Sequence, residues 1–148
     1  MRQAILLTAL LLACATTTFA ANDPVLYNAI AAANKIFMSL FAQGNGAAIG
    51  QLYTPDAHLL PPGAPTIEGQ ANIGNFFAGA HASGVAQAVF DIVEVGYLHG
   101  DALAYERSNY TFYSSTGSVL DVGKYVVIWR NVTGHMYLYT DIFNSNNA

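Results

Sequence analysis

Cysteine is all but missing. Cys14 stands alone among 148 residues, so the chain can form no internal disulfide and its fold has to rest on packing. Positive charge is nearly as scarce. Five Lys and Arg face nine Asp and Glu, and charged residues make up 9 % of the chain, where about 25 % is usual. So few cations leave no basic patch, which excludes a nucleic-acid-binding face. A surface this poor in charge has to be covered by self-association or carried by neutral polar groups, and Asn, Thr, Ser and Gly are plentiful. Three chemical signatures are absent as well: metal-ligand spacing, a nucleophile elbow and a phosphate-binding glycine loop. His81, His99 and His135 fall in loops or at helix ends rather than in one constellation. The expectation is no metal and no cofactor.

The N-terminus supplies the first positive feature. Met1-Arg2-Gln3 precedes an apolar run from Ala4 to Ala15. One positive charge, an apolar stretch and a small-residue exit make a secretory signal peptide. The run is shorter than the about 20 residues that cross a bilayer. Thr18-Phe19-Ala20 offers cleavage before Ala21. Leu11-Leu12-Ala13-Cys14 offers a second reading, a lipid anchor on Cys14, and sequencing the mature N-terminus distinguishes the two. The expected organisation is a signal peptide over 1–20 and one domain over 21–148, secreted or periplasmic, with no membrane association after cleavage.

Within that domain the hydrophobic period changes once. Asn22-Asp23-Pro24 starts a helix, and Leu26, Ile30, Ala33, Phe37, Leu40 and Phe41 share its apolar face. Gly44-Asn45-Gly46 ends it. A short helix with Ile49 and Leu52 inward follows, and Thr54-Pro55-Asp56 turns the chain into a short strand at His58-Leu59-Leu60. A third helix after Gly69 carries Ile73, Phe76, Phe77 and Ala80. From Val85 the pattern predicts four strands, roughly 86–98, 102–113, 118–130 and 136–144, separated by turn residues. Helices followed by an antiparallel meander predict an α+β domain with its helices on one face of the sheet.

That order resembles the NTF2-like superfamily, and three segments sharpen the resemblance. Tyr53 to Gly63 reads YTPDAHLLPPG, Ile67 to Ile73 reads IEGQANI, and Gly123 to Arg130 followed by Asp141 to Ser145 is similar to the ending of the SnoaL-like and DUF4440 branch. The resemblance spans about residues 25–145. It implies a ketosteroid-isomerase-like cone, with three N-terminal helices packed on a curved antiparallel sheet around a pocket. It also implies homodimers formed through the outer sheet face. It does not fix an activity, because one fold hosts many.

Alternation along strands divides the candidate residues by face. The resemblance to ketosteroid isomerases turns Val122, Lys124, Val126 and Ile128 toward the pocket, with Tyr105, Arg107, Asn109, Tyr139, Asp141 and Phe143 at matching parity. Lys124 and Asp141 on adjacent strands are expected to pair, either as an acid/base or anion-binding group or as a salt bridge closing the pocket floor. Arg107 lies where kinase-association members place a pocket arginine, able to hold a carboxylate through two bonds. A shift of one residue would bring Glu106, Ser108 and Tyr110 inward instead. The isomerase base position falls on Pro61 and its acid position on Lys124, and both departures argue against steroid isomerisation. His58 is a candidate base, and Tyr53 packs between helix and sheet with its hydroxyl near the pocket. Asn109-Tyr110-Thr111 and Asn131-Val132-Thr133 are sequons, of which Asn131, in a turn, suits a glycan.

The expected function is a pocket for a small, partly apolar molecule, lined by Tyr53, Tyr105, Arg107, Asn109, Tyr139 and Phe143. The alternatives are an isomerase, dehydratase or cyclase using Asp141, Lys124 or His58 for proton transfer, or a homo-oligomeric association module.

Overall fold

The structure is a computed structural model that describes residues 23–147. The signal peptide expected over 1–20, and Cys14 with it, lie outside the described residues. Helix α1 (Pro24–Ala42) begins where the Asp23 carboxylate accepts the backbone N–H groups of Val25 and Leu26 at 2.9 and 3.0 Å. Its buried stripe is Leu26, Ile30, Asn34, Phe37 and Phe41. Four of these are the expected apolar residues, each contributing about 1.5–3 kcal/mol by burial. The fifth, Asn34, is polar. By length and composition α1 could cross a membrane, yet this stripe packs against the sheet.

Helix α2 (Gly46–Gly50) is capped by Asn45 and lies against α3 (Gln70–Ala82) at backbone contact. A Cβ on Gly46 would stand 2.2 Å from the Gly74 carbonyl oxygen, and one on Gly50 2.3 Å from that of Gln70. Glycine is therefore what lets the two helices touch.

The expected strands appear to within two residues as β3 (Gln87–His99), β4 (Leu103–Tyr113), β5 (Val119–Val132) and β6 (His135–Ser145). They form the antiparallel meander. β1 (Tyr53–Leu60) is longer than the sequence expectation, because residues 54–56 run extended through a register shift rather than turning. It joins β6 in parallel, and the two-residue β2 (Ile67–Glu68) completes the order β2-β1-β6-β5-β4-β3. The helices and the sheet's inner face enclose one core centred on Phe41, Tyr53, Tyr110, Val127 and Trp129.

Which face looks inward corrects the sequence expectation. On β4 the buried residues are Ala104, Glu106, Ser108 and Tyr110, and on β5 they are Gly123, Tyr125, Val127 and Trp129. Val122, Lys124, Val126, Arg107 and Asn109 point to the outer face and are exposed. The cause is visible in the composition of that face. Val122, Val126 and Ile142 give it as apolar an appearance as the core face, so hydrophobicity could not discriminate between two registers one residue apart. β6 carries a bulge: Thr140 lies opposite Ile128 but Leu138 lies opposite Trp129, leaving Tyr139 as the extra residue. Leu138 and Asp141 therefore face inward together, and Tyr139 does not.

Candidate functional site in the cone

Between α1, α3 and the inner sheet face lies a cavity of about 40 Å³. That is room for about three waters at ~10–15 Å³ each, well short of the roughly 150 Å³ of a cavity that takes up benzene. Its walls are mostly aromatic: Phe37, Phe77, Phe90, Phe112, Tyr110 and Phe143, completed by Val127 and Leu138. The rings brace one another edge to face. Phe37 meets Phe77 at 5.0 Å and 88°, and Phe90 meets Tyr125 at 5.4 Å and 66°. Such pairs add about 0.5–1.5 kcal/mol each beyond burial, so the cavity keeps its shape when empty. Among the described residues, polar groups reach it from Asn34, Tyr110, Tyr125 and Asp141.

Two buried carboxyls define the electrostatics, and they are held differently. Glu106 is wholly buried, and its oxygens accept four hydrogen bonds: from Asn34 Nδ2 at 2.7 Å, Ser108 Oγ at 2.7 Å, Tyr125 OH at 2.6 Å and Trp129 Nε1 at 3.0 Å. Those donors come from α1, β4 itself and β5, so Glu106 ties helix to sheet. Burial, then the charge of Glu106, raises the Tyr125 phenol far above its ordinary range.

Among the described residues Asp141 has one side-chain donor, the Tyr53 hydroxyl at 2.6 Å. Burial pushes its carboxyl up to about 7, the nearby charge of Glu106 adds to the rise, and the Tyr53 bond opposes it. Tyr53 is itself pushed well up by burial and by Asp141. Asp141 thus has a carboxyl that can hold or release a proton near neutrality, beside an apolar cavity. Perturbed groups of that kind concentrate where proton transfer or ligand recognition occurs.

A third acid braces the far wall. Asp121 accepts from Tyr110 OH at 2.7 Å, Ser145 Oγ at 2.5 Å and Asn147 Nδ2 at 3.0 Å. Gly123 leaves the space the Tyr110 ring needs, since a Cβ there would lie 2.3 Å from it.

A family model describing the SnoaL-like domain matches residues 35–138. The chain belongs to the SnoaL-like family. Solved structures agree on the fold. This SnoaL-like domain superposes on an NTF2-like protein with a cystatin-like fold from Novosphingobium aromaticivorans at a TM-score of 0.69, with 16 % identity over 82 % of each chain. A ketosteroid isomerase-like protein from Erwinia carotovora atroseptica gives 0.66 and 21 %, covering 82 % of this chain and 96 % of that one. ActVI-ORFA from Streptomyces coelicolor gives 0.66 and 13 %, covering 84 % and 99 %. These identities establish shape alone. No curated protein matches the chain.

Of the residues expected at the site, the SnoaL-like cone brings together Tyr53, Asp141 and Phe143. The others lie elsewhere. Lys124 is exposed and donates to Asn146 Oδ1 at 2.7 Å, so the expected pair with Asp141 does not form. Arg107 pairs with Glu94 at 2.8 Å, and Tyr105 donates to the same carboxylate. Arg107, Asn109 and Lys124 line a shallow depression on the outer face with Val126, Ile142 and Asn144. Tyr139 packs under the Arg130 guanidinium at 3.8 Å and against the His58 ring at 6.1 Å, while Arg130 also binds Asp56 at 2.9 Å. His58 therefore belongs to an outer cluster. Sequence reasoning missed Asn34, although a polar residue on the apolar stripe between Ile30 and Phe37 was a readable signal. Ser108 and Glu106 belonged to the alternative register, and Trp129 faced away in the register preferred.

Proposed function

We propose that the cone holds one small, mostly apolar molecule and presents a polar group of it to Asp141. The observation that carries this reading is the buried Asp141 carboxyl, with a single side-chain donor among the described residues, placed on an aromatic cavity. Glu106 supports the site without contacting the ligand, since four donors already occupy its oxygens. The same observation favours a second reading, an isomerase, dehydratase or cyclase in which Asp141 moves a proton and Tyr53 steadies the charge it leaves. Asp141→Asn separates the two. A binding protein loses affinity for its ligand by about tenfold, the size of one hydrogen bond to a buried carboxyl, whereas an enzyme keeps binding and loses its turnover by about 10²–10⁴-fold. If the variant bound and turned over every ligand like the native protein, Asp141 would have no role in the site.

The outer sheet face supports a homodimer in the secreted protein. Val89, Val122, Val126 and Ile142 are between 37 and 47 % exposed there, and contiguous apolar patches of this kind mark association surfaces. Val126→Arg is expected to shift the native mass from dimer to monomer with the fold retained. An unchanged mass distribution would remove this face from the assembly.

A further inference from the structure

The interior of the cone holds acids without a counter-charge. Glu106 and Asp141 are both buried. The four Lys and Arg among the described residues, Lys35, Arg107, Lys124 and Arg130, are exposed or half-buried, and none lines the cavity. His81 lies against Phe41 and Gly44, away from the cavity walls. The groups that face Asp141 are Tyr53 on β1, Glu106 on β4 and Tyr125 on β5, while α1 and α3 bring Asn34 and Phe77 to the same space. None of them carries positive charge.

Glu106 is offset by its four donors. Asp141 is not. Tyr53 donates to its Oδ2, and no side-chain donor among the described residues reaches Oδ1. Thr54 Oγ1 is the only fully enclosed side-chain polar atom among the described residues that lacks a partner. Asp141 Oδ1 is therefore not walled in by protein, and it opens on the cavity that this residue lines.

The rest of the wall favours positive charge as well. An aromatic face is negative and attracts a cation within about 6 Å of its centre, and Phe37, Phe77 and Phe90 are among the rings present. A buried carboxyl beside such rings suits a small organic cation and disfavours an anion. Size sets the second limit. A space of about 40 Å³ holds about three waters, and so a guest of about three non-hydrogen atoms. Phe90, Phe112 and Phe143 line the cavity and are half-buried. These rings at the surface are the side chains such a guest displaces on entry.

We propose that the cone's ligand is a primary alkylammonium ion of one or two carbons, its ammonium group donating to Asp141 Oδ1 and its carbons lying against the aromatic wall. This rests on the small-molecule reading above and adds the ligand's class. The charge also sets a sign with pH. The Asp141 carboxyl is pushed up to about 7, whereas an alkylammonium, like that of lysine, keeps its proton to about 10. A cation beside the carboxyl favours the charged form and lowers its midpoint. Proton and ligand compete for one oxygen, so affinity should rise as pH rises from about 6 to about 8.

The probes are ethylammonium chloride, its neutral counterpart ethanol, and butylammonium chloride, titrated into the full domain at pH 8 and constant chloride. Carbon-13 NMR of the aspartate carboxyls reads binding, which for three non-hydrogen atoms reaches at best about 1 mM. Ethylammonium is expected to bind about tenfold more tightly than ethanol, the margin of a charged over a neutral hydrogen bond. It should also lower the Asp141 midpoint by about one pH unit. Butylammonium should bind more weakly, and Asp141→Asn should bring ethylammonium down to ethanol's affinity. Ethanol binding as tightly as ethylammonium would overturn the cation and leave the pocket reading standing. A preference that survives in Asp141→Asn would place the cation elsewhere, and tighter binding of butylammonium would overturn the size limit. Failure of all three probes to bind would overturn the pocket reading too.

Discussion

Glu106→Ala is expected to lower the unfolding free energy by about 4 kcal/mol, because at least two buried donors lose their acceptor at about 1–3 kcal/mol each and a cavity is left behind. The hydroxyls of Ser108 and Tyr125 can rotate to new partners. Asn34 Nδ2 and Trp129 Nε1 are fixed by the helix and the strand that carry them, and cannot. The loss is a large share of a total stability of about 5–15 kcal/mol. Glu106→Gln keeps the volume but must present an amide N–H₂ to a cluster that consists of donors, so about half the loss should remain. It should also draw the Asp141 pKa down, since the charge of Glu106 is one of the causes of its rise. Urea denaturation measures the first effect. A Glu106→Ala midpoint within about 0.5 kcal/mol of native, on the scale of an ordinary surface change, would mean the four bonds do not hold the helix to the sheet.

The second large effect belongs to Asp141 and depends on pH. Its folded carboxyl is pushed up to about 7, against about 3.9 in an unfolded chain. Between those values the folded protein keeps a proton that the unfolded chain has released. Stability from this group therefore falls as pH rises from about 4 to about 7, and is level above that. The full difference is about three pKa units, or roughly 4 kcal/mol. Asp56, Glu94 and Asp121 have lowered pKa values and act oppositely, losing stability as pH falls through the acid range. They are common to native protein and variant, so the difference between the two isolates Asp141. Asp141→Asn still accepts from Tyr53 and carries no charge. It should stabilise the domain at pH 8 by up to about 4 kcal/mol and change little at pH 4. Denaturation curves at pH 4, 6 and 8 check this, and parallel pH profiles for the two proteins would contradict it.

The elements were legible in the sequence because their signals are local. Asp23-Pro24 caps a helix whether or not the sheet exists, and Gly100, Gly117 and Gly134 all take positive φ where the meander turns. Tyr53, Asp141 and Phe143 were expected at the pocket, and the fold brings them together at the cavity. The remainder of the site was hidden by two non-local facts. The outer face is apolar enough to pass for a core face, so β4 and β5 were assigned one residue out. The bulge at Tyr139 then resets parity within β6, and this is why Asp141 faces the cavity while Lys124, expected beside it, does not. Glu106 shows the limit most clearly: a lone acid between Tyr105 and Arg107 looks like a surface residue until the four donors from α1, β4 and β5 are folded around it.

The central claim is that Asp141 is the proton-holding group of an apolar ligand site. Carbon-13 NMR of the aspartate carboxyls across pH 4–9, without and then with ethanol as a probe small enough for the cavity, tests it directly. The account predicts one aspartate with a midpoint near 7, absent from Asp141→Asn, whose midpoint moves when the probe is added. All aspartates titrating near 4, unmoved by the probe, would contradict it.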